Sequence, residues 1–344
     1  MIIIDGIIFS LQKSGGISVY YNELLHRFTG QSEKICHLVY ENENSYTSNL
    51  IINKKIRWHL EVERFRKVDV FGKENDIFHS SYYRLPSKTY AGKIITTVHD
   101  FTENLYPRGL KSIILNAQKR NSILKSDGII CISENTRRDM HKFIPESVNI
   151  ATRVIYNGVS DFSFNNQYEH FEPYVIFIGA RDGYKNFEMC VQALHNLPEI
   201  QLIVIGGGEL TDYELKLLND NIPNRYKHAG FISECELESY YQNALALVYP
   251  SFYEGFGIPV IEAMKCGCPV IASKSSSVQE IAGSAAVLIE NITAEKIGLN
   301  ILKLKSPAVR TQIITLGLNN AKKFSWDKMA SETLDFYNYV RGEK

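Results

Sequence analysis

Short apolar runs alternate with longer amphipathic stretches from one end of the chain to the other. The first series comprises Ile2–Ile4, Lys34–Val39, Ile77–His79, Ile94–Val98, Gly128–Ile132 and Arg153–Tyr156. A second follows at Tyr174–Ile178, Gln201–Ile205, Tyr226–Ala229, Ala246–Val248, Pro269–Ala272 and Ala286–Leu288. Runs this short, apolar at successive positions, predict strands covered on both faces, as in a parallel sheet. Helical spacing fills the gaps between them. VYYNELLHRF predicts a helix after Ser18, and ENTRRDMHKF one capped by Ser133, whose hydroxyl suits the free amides of a first turn. NFEMCVQALHNL gives a third, and ECELESYYQNA a fourth with Ser233 three residues before Glu236, the spacing of a capping box. Strand, helix, strand repeated in this way predicts right-handed βαβ units in doubly wound α/β sheets.

The two series part at Ser160–Pro173, where SDFSFNNQYEHFEP is polar, aromatic and poor in aliphatics. The expected organisation is a first domain over 1–162, a second over 163–325, and a terminal helix over 326–344 packing back on the first. A length of 344 residues suffices for two such cores. Lys+Arg and Asp+Glu each total 38, a balance that argues against a general nucleic-acid binder. MIIIDGIIFS carries Asp5 within its apolar run and no basic leader, so a buried first strand is expected there rather than a signal peptide. No run reaches the length of a membrane span. Six scattered cysteines without a C-x-x-C pair predict reduced thiols in a cytoplasmic protein. No H-E-x-x-H or D-x-D occurs, so no metal is expected.

Ligands in doubly wound folds sit beyond the carboxyl ends of the strands, beside helix N-termini. After YVIFIG come Arg181 and Lys185, a planar fork and a mobile point charge suited to a diphosphate. The residues alone also allow two solvated loop cations. After QLIVI, the glycines Gly206, Gly207 and Gly208 let backbone approach a ligand closely. Phe231 and Ile232 end the next strand, where a flat base or a plain core contact fits. The stretch EGFGIPVIE follows ALALVYPS. Pro259 suits a first helical turn, which would put Glu262 in that turn and Glu254 in the loop before it. Gly255 and Gly257 leave the intervening backbone open to an oxygen-rich ligand. Two carboxylates so placed can accept from sugar and ribose hydroxyls, although Glu262 alone is also explained by the helix dipole.

EGFGIPVIE with EAMKCGCPVIAS resembles the signature of family 4 glycosyltransferases, retaining enzymes of GT-B fold that use nucleotide-sugar donors. RDGYKN, IGGGEL, GFISECEL, GGISVYYNEL, TVHD, CISENTRRD, VIYNGV and the final FSW segment extend the match over nearly the whole chain. The resemblance implies two Rossmann-like domains facing a cleft, the first for the acceptor and the second for the donor. It implies that Arg181 and Lys185 hold the donor diphosphate and Glu262 the ribose hydroxyls. Glu254, with the backbone of Phe256, Gly257 and Ile258, would hold the donor sugar. Gly207, Phe231 and Ile232 would complete the nucleotide site. Gly15 and Gly16 would close over the phosphates and acceptor, and His99 would contact the transferred sugar, with Asp100 orienting it.

The implied reaction is front-face transfer with retention: the acceptor hydroxyl attacks on the side of the departing diphosphate, which receives its proton. Arg181 and Lys185 would stabilise the leaving charge without a metal or other cofactor. A glycan or lipid-linked glycan acceptor in cell-surface polysaccharide assembly fits best, with a hexose of mannose or deoxyhexose type. Segments 54–68 and 110–126 mix cations with apolar residues; they suit either contact with the inner membrane face or ordinary solvated helices. Competing expectations are a nucleotide-sugar 2-epimerase, a dinucleotide-dependent dehydrogenase and a non-catalytic carbohydrate-binding protein. LQKSGGISVY is not G-x-G-x-x-G, which disfavours the dehydrogenase, and an intact set of site residues disfavours the binding protein.

Overall fold

A computed structural model describes residues 1–12, 15–28, 34–40, 50–54, 59–162, 173–181 and 183–343. The chain divides into two units, Met1–Gly158 with Ser325–Lys344, and Val159–Phe324. Most of the linker Ser160–Pro173, part of segment 54–68, and Asp182 lie outside the described residues.

Unit 1 holds seven strands: β1 (Ile2–Asp5), β2 (Ile35–Tyr40), β3 (Leu50–Lys54), β4 (Ile77–Ser80), β5 (Lys93–Val98), β6 (Gly128–Cys131) and β7 (Ala151–Val154). They form one parallel sheet in the order β3-β2-β1-β4-β5-β6-β7. Unit 2 holds β8 (Tyr174–Ile178), β9 (Gln201–Ile205), β10 (Tyr226–Gly230), β11 (Ala246–Tyr249), β12 (Val270–Ser273) and β13 (Val287–Ile289). Its parallel sheet runs β10-β9-β8-β11-β12-β13. The winding is the same in both: each sheet starts in the middle, grows to one side, then crosses back. The crossover lies between β1 and β4 in unit 1 and between β8 and β11 in unit 2, and such switch points open a crevice at the strand carboxyl ends.

Burial follows the apolar runs. Every residue of β1, β4, β6, β11 and β12 is buried, as expected of strands covered on both faces. The edge strand β3 escapes the apolar-run pattern: Ile51 and Ile52 are 40% and 38% exposed, and the run gives way at once to Asn53 and Lys54. In unit 2 the helix Phe187–Ala193 buries Phe187, Cys190, Val191 and Ala193 in one core with Phe177, Val204 and Val248. At about 25 cal/mol per Å² of apolar surface, each large side chain there contributes roughly 1.5–3 kcal/mol.

The helices start close to where their caps predict. Ser133 accepts from the Thr136 amide at 3.0 Å, and Ser233 forms a full capping box with Glu236. The helix expected after Ser18 begins earlier, at Gly16, and runs to Phe28, with the Ser18 hydroxyl donating back to the Gly15 carbonyl at 2.9 Å. The terminal helix Trp326–Arg341 buries Trp326, Met329, Ala330, Thr333, Phe336 and Tyr337, one stripe at helical spacing. It belongs to unit 1, where the Phe28 and Tyr337 rings meet edge-on at 6.0 Å. Gly158 permits its entry, since a Cβ there would lie 2.2 Å from the Trp326 amide nitrogen.

Candidate active site

The unit 2 site is built from the loops that leave β8 and β11. Asn186, at φ 57, caps the helix Phe187–Ala193 from the left-handed region, which asparagine tolerates better than most residues. Its side-chain amide donates to the Pro250 carbonyl at 3.0 Å, and the Phe252 amide donates to the Tyr184 carbonyl at 2.8 Å. These bonds lock the two loops together. As a result Lys185 Nζ donates to both carboxylate oxygens of Glu254, at 2.6 and 2.8 Å. Both side chains are mostly buried, 15% and 11% exposed. The ammonium also lies 5.4 Å from the Tyr184 ring centre and 5.7 Å from that of Tyr249. Burial pushes the Tyr249 hydroxyl well up, and the Glu254 charge pushes it the same way.

A row of serines that starts with the last residue of β12 holds the Glu254 loop in place, a support the sequence reading did not single out. Ser276 Oγ accepts from the Glu254 amide at 2.9 Å. Ser277 Oγ lies 2.8 and 2.9 Å from the Glu254 and Phe256 carbonyl oxygens, which share its one proton. Ser275 donates to the Ser251 carbonyl at 2.9 Å, and Ser273 donates to it as well. Gly257, at φ 105, caps the helix Ile258–Lys265, with Pro259 in its opening turn. A Cβ at Gly257 would stand 3.2 Å from Ile281 Cδ1 in a conformation that other residues rarely adopt.

Two expectations change here. Glu262 is not in the first turn: the helix starts at Ile258, so the carboxylate falls in the second turn, beyond reach of the free amides. It instead accepts a hydrogen bond from the Tyr241 hydroxyl at 3.3 Å. Burial pushes its carboxyl up to about 7, with the Tyr241 bond opposing and the Glu234 charge reinforcing. Arg181 does not stand open for a phosphate. Its Nε donates to Glu214 at 2.8 Å and its Nη1 to the Gly206 carbonyl at 2.9 Å. Nη2 reaches the carbonyls of Gly207, Gly208 and Glu209 at 3.2, 3.1 and 2.8 Å. The side chain is only 3% exposed. Gly206, Gly207 and Gly208 sit at φ 74, 77 and 75, so their carbonyls gather on the guanidinium. Phe231 follows β10 and is 78% exposed; Ile232 beside it is half-buried, and Phe256 is buried while Ile258 is half-buried.

In unit 1 the expected residues lie on two elements. Gly15 and Gly16 open the helix Gly16–Phe28, and His99 follows β5. His99 is 6% exposed, and the rings of Tyr20 and Tyr21 meet it edge-on at 5.3 and 6.2 Å. Burial pushes its imidazole down to about 4, with Asp100 opposing and Lys119 reinforcing. At neutral pH the ring is therefore uncharged. Beneath it His79 shares bonds with Tyr21 at 3.0 Å, Thr97 at 2.7 Å and Tyr337 at 2.5 Å. At the switch point, buried Arg84 donates to Asp5, Tyr40 and Glu63 at 3.2, 2.7 and 3.0 Å. Among the described residues no cluster of His, Cys, Asp and Glu offers a metal site, and no helix is long and apolar enough to cross a membrane.

Two doubly wound units of one topology, with a cation and carboxylates at the second switch point, are the arrangement of the GT-B fold. Comparison with known proteins gives the family. The model for Glycosyltransferase Family 4 matches residues 37–161, and that for Glycosyl transferases group 1 matches 160–314. The chain belongs to the family 4 glycosyltransferases. It is 26% identical to the O-antigen chain mannosyltransferase B of Escherichia coli, over 77% of this chain and 74% of that one. It is 29% identical to the O-antigen chain mannosyltransferase RfbU of Salmonella typhimurium, over 56% and 55%. Among solved structures, sucrose-phosphate synthase of Thermosynechococcus elongatus superposes with a TM-score of 0.78 at 19% identity, covering 98% of both chains. WaaG, a glycosyltransferase involved in lipopolysaccharide biosynthesis, gives 0.72 at 13% identity, over 98% and 99%.

Proposed function

We propose that this glycosyltransferase is a retaining, metal-independent hexosyltransferase. It moves a hexose, of mannose or deoxyhexose type, from a nucleotide-diphosphate sugar to a glycan or lipid-linked glycan in cell-surface polysaccharide assembly. The observation that carries this reading is the Lys185–Glu254 pair, a mostly buried cation and carboxylate joined across the two loops of the unit 2 switch point. The two O-antigen mannosyltransferases named above support the sugar and the pathway. A structural neighbour, HepE from Anabaena (TM-score 0.70, 15% identity), was solved with UDP-glucose, which supports the donor class.

In this reading the donor diphosphate competes with Glu254 for the Lys185 ammonium. Lys185 then meets the charge that grows on the leaving group, as a preorganised electrostatic stabiliser. Glu254, released from the cation but still held by the serine row, accepts from hydroxyls of the transferred sugar. Glu262 accepts from the ribose, and uncharged His99 bonds a sugar hydroxyl without adding positive charge to the oxocarbenium-like centre. Arg181 acts through the glycine turn, fixing the backbone amides that meet the nucleotide. Leu110, Ile113 and Ile114, 77%, 64% and 53% exposed on one helix, stand beside exposed Arg108 and Lys111, which supports peripheral contact with the cytoplasmic face of an anionic membrane.

The test is a thermal-shift screen of UDP-, GDP- and dTDP-sugars. A ligand that binds only the folded state raises its melting point. Product analysis with the sugar that binds follows, with and without EDTA. A stabilising donor that yields no glycoside with any glycan acceptor would contradict the reading.

A further inference from the structure

The short helix Ser276–Ala282 starts without a side-chain cap, although serines crowd its first turn. Ser275 holds the cap position, where a serine hydroxyl ordinarily accepts from a first-turn amide. Its side chain makes no such bond and donates to the Ser251 carbonyl instead. Ser276 departs further from local preference. Its backbone sits at φ 45, in the left-handed region that residues other than glycine, asparagine and aspartate seldom adopt. Strain of this kind persists only where the surroundings enforce it, and it gathers at functional sites.

The strained turn builds a clamp on one residue. Ser276 Oγ accepts from the Glu254 amide at 2.9 Å, and the next hydroxyl, Ser277 Oγ, lies 2.8 Å from the Glu254 carbonyl oxygen. Side chains of consecutive residues in a regular helix point about 100° apart, so only one of the two would aim at Glu254. The left-handed turn at Ser276 brings both onto the same residue. The apolar face of the helix closes on the same loop, since a Cβ on Gly257 would stand 3.2 Å from Ile281 Cδ1 and 3.7 Å from Val278 Cγ2. The peptide groups on both sides of Glu254 are thus fixed from this helix, while its carboxylate reaches across to Lys185.

We propose that Ser276 is a positioning residue for transfer: from a strained backbone, its hydroxyl holds Glu254 in place once a donor diphosphate takes Lys185 from the carboxylate. The proposal rests on the glycosyltransferase reading for the role of Glu254. It requires turnover to follow the hydroxyl at position 276 and stability to follow the backbone there.

Three variants separate the two. Ser276→Gly and Ser276→Ala both lack the hydroxyl, so each should lose about tenfold in kcat, as for one hydrogen bond, with donor KM within about twofold of wild type. Only glycine accepts φ 45 freely, so Ser276→Gly should melt several degrees above Ser276→Ala. Ser276→Thr restores the hydroxyl on a β-branched residue that tolerates this φ poorly. It should melt below wild type, yet recover most of the kcat that the other two lose. A kcat that follows Tm across the series overturns the proposal, as does wild-type kcat in Ser276→Gly or an alanine variant as stable as the glycine one. Should the threonine variant fail to fold, the glycine and alanine variants still decide. Hydrogen-exchange mass spectrometry on the full chain reads the clamp without substrate. Exchange within residues 251–257 should quicken about tenfold in Ser276→Gly, and unchanged exchange there overturns the proposal. A wild type that uses no nucleotide sugar overturns the parent reading of Glu254 instead, and exchange and Tm still show whether Ser276 orders the loop.

Discussion

Replacing Arg181 by alanine removes a guanidinium whose N–H groups face Glu214 and the carbonyls of Gly206, Gly207, Gly208 and Glu209. Gly207 and Gly208 are exposed, so water replaces part of what is lost, and each bond counts near the low end of 0.5–1.5 kcal/mol. The expected stability cost is about 2–3 kcal/mol, a fall in Tm of several degrees. Loosening the turn matters more for binding. Three glycines freed from their left-handed geometry each recover roughly 1–2 kcal/mol of backbone entropy, and a ligand that needs the turn ordered must remove it again. Affinity for a nucleoside diphosphate should therefore fall by at least about 100-fold, measured by calorimetry. Glu214→Ala tests whether Arg181 works through the turn, since Glu214 orients the guanidinium at 2.8 Å. It should reproduce a large part of the affinity loss, and the double variant should be little worse than Arg181→Ala alone. Glu214 also completes a capping box with Thr211, so Thr211→Ala serves as the control for helix capping. Full diphosphate affinity in Glu214→Ala, beside a large loss in Arg181→Ala, would refute the reasoning and make Arg181 a direct phosphate ligand.

Lys185→Ala should lower kcat by about 100- to 1000-fold in a folded protein; near-normal turnover would remove Lys185 from the mechanism. Glu254→Gln should lower kcat more than nucleotide affinity, and Glu262→Gln the reverse, with equal losses in both ruling out the division of labour. Because the Glu262 carboxyl titrates at about 7 and the charged form accepts better, nucleotide affinity should rise from pH 6 to pH 8, and this rise should vanish in Glu262→Gln. Acid should destabilise the fold through its buried imidazoles, with protonation of Glu262 opposing in part. Burial holds His37 and His99 near 4 and His79 near 3, so the unfolded chain takes up their protons first as pH falls below about 6.5. Each imidazole then costs about 2 kcal/mol at pH 5; a Tm unchanged between pH 7 and pH 5 would contradict this.

Much of this fold was legible because parallel strands are buried on both faces, and continuous apolar runs such as IIID and YVIFI betray them. β3 was not, since an edge strand with exposed Ile51 and Ile52 lacks that pressure. Asn186, Lys185 and Glu254 could be placed at strand exits from spacing, but their pairing across two loops depends on three-dimensional closure. The serine row at 273–277 was invisible for the same reason: its bonds reach some 22 residues back, to Glu254 and Ser251. The hydrogen bonds of Arg181 were not legible, because sequence shows a cation near a glycine turn without showing where the fork points. Glu262 shifted by one helical turn because Gly257, not the proline, sets the start of its helix. Lys119, buried against Asp100 and Glu103, reads in sequence as one more cation in a basic helix.

The most direct test of the account uses a donor labelled with ¹³C at the anomeric carbon, incubated with enzyme, glycan acceptor and EDTA and followed by NMR. The account predicts a glycoside with the donor's anomeric configuration, formed at an undiminished rate. An inverted linkage, a metal requirement, or an epimerised nucleotide sugar with no glycoside would contradict it.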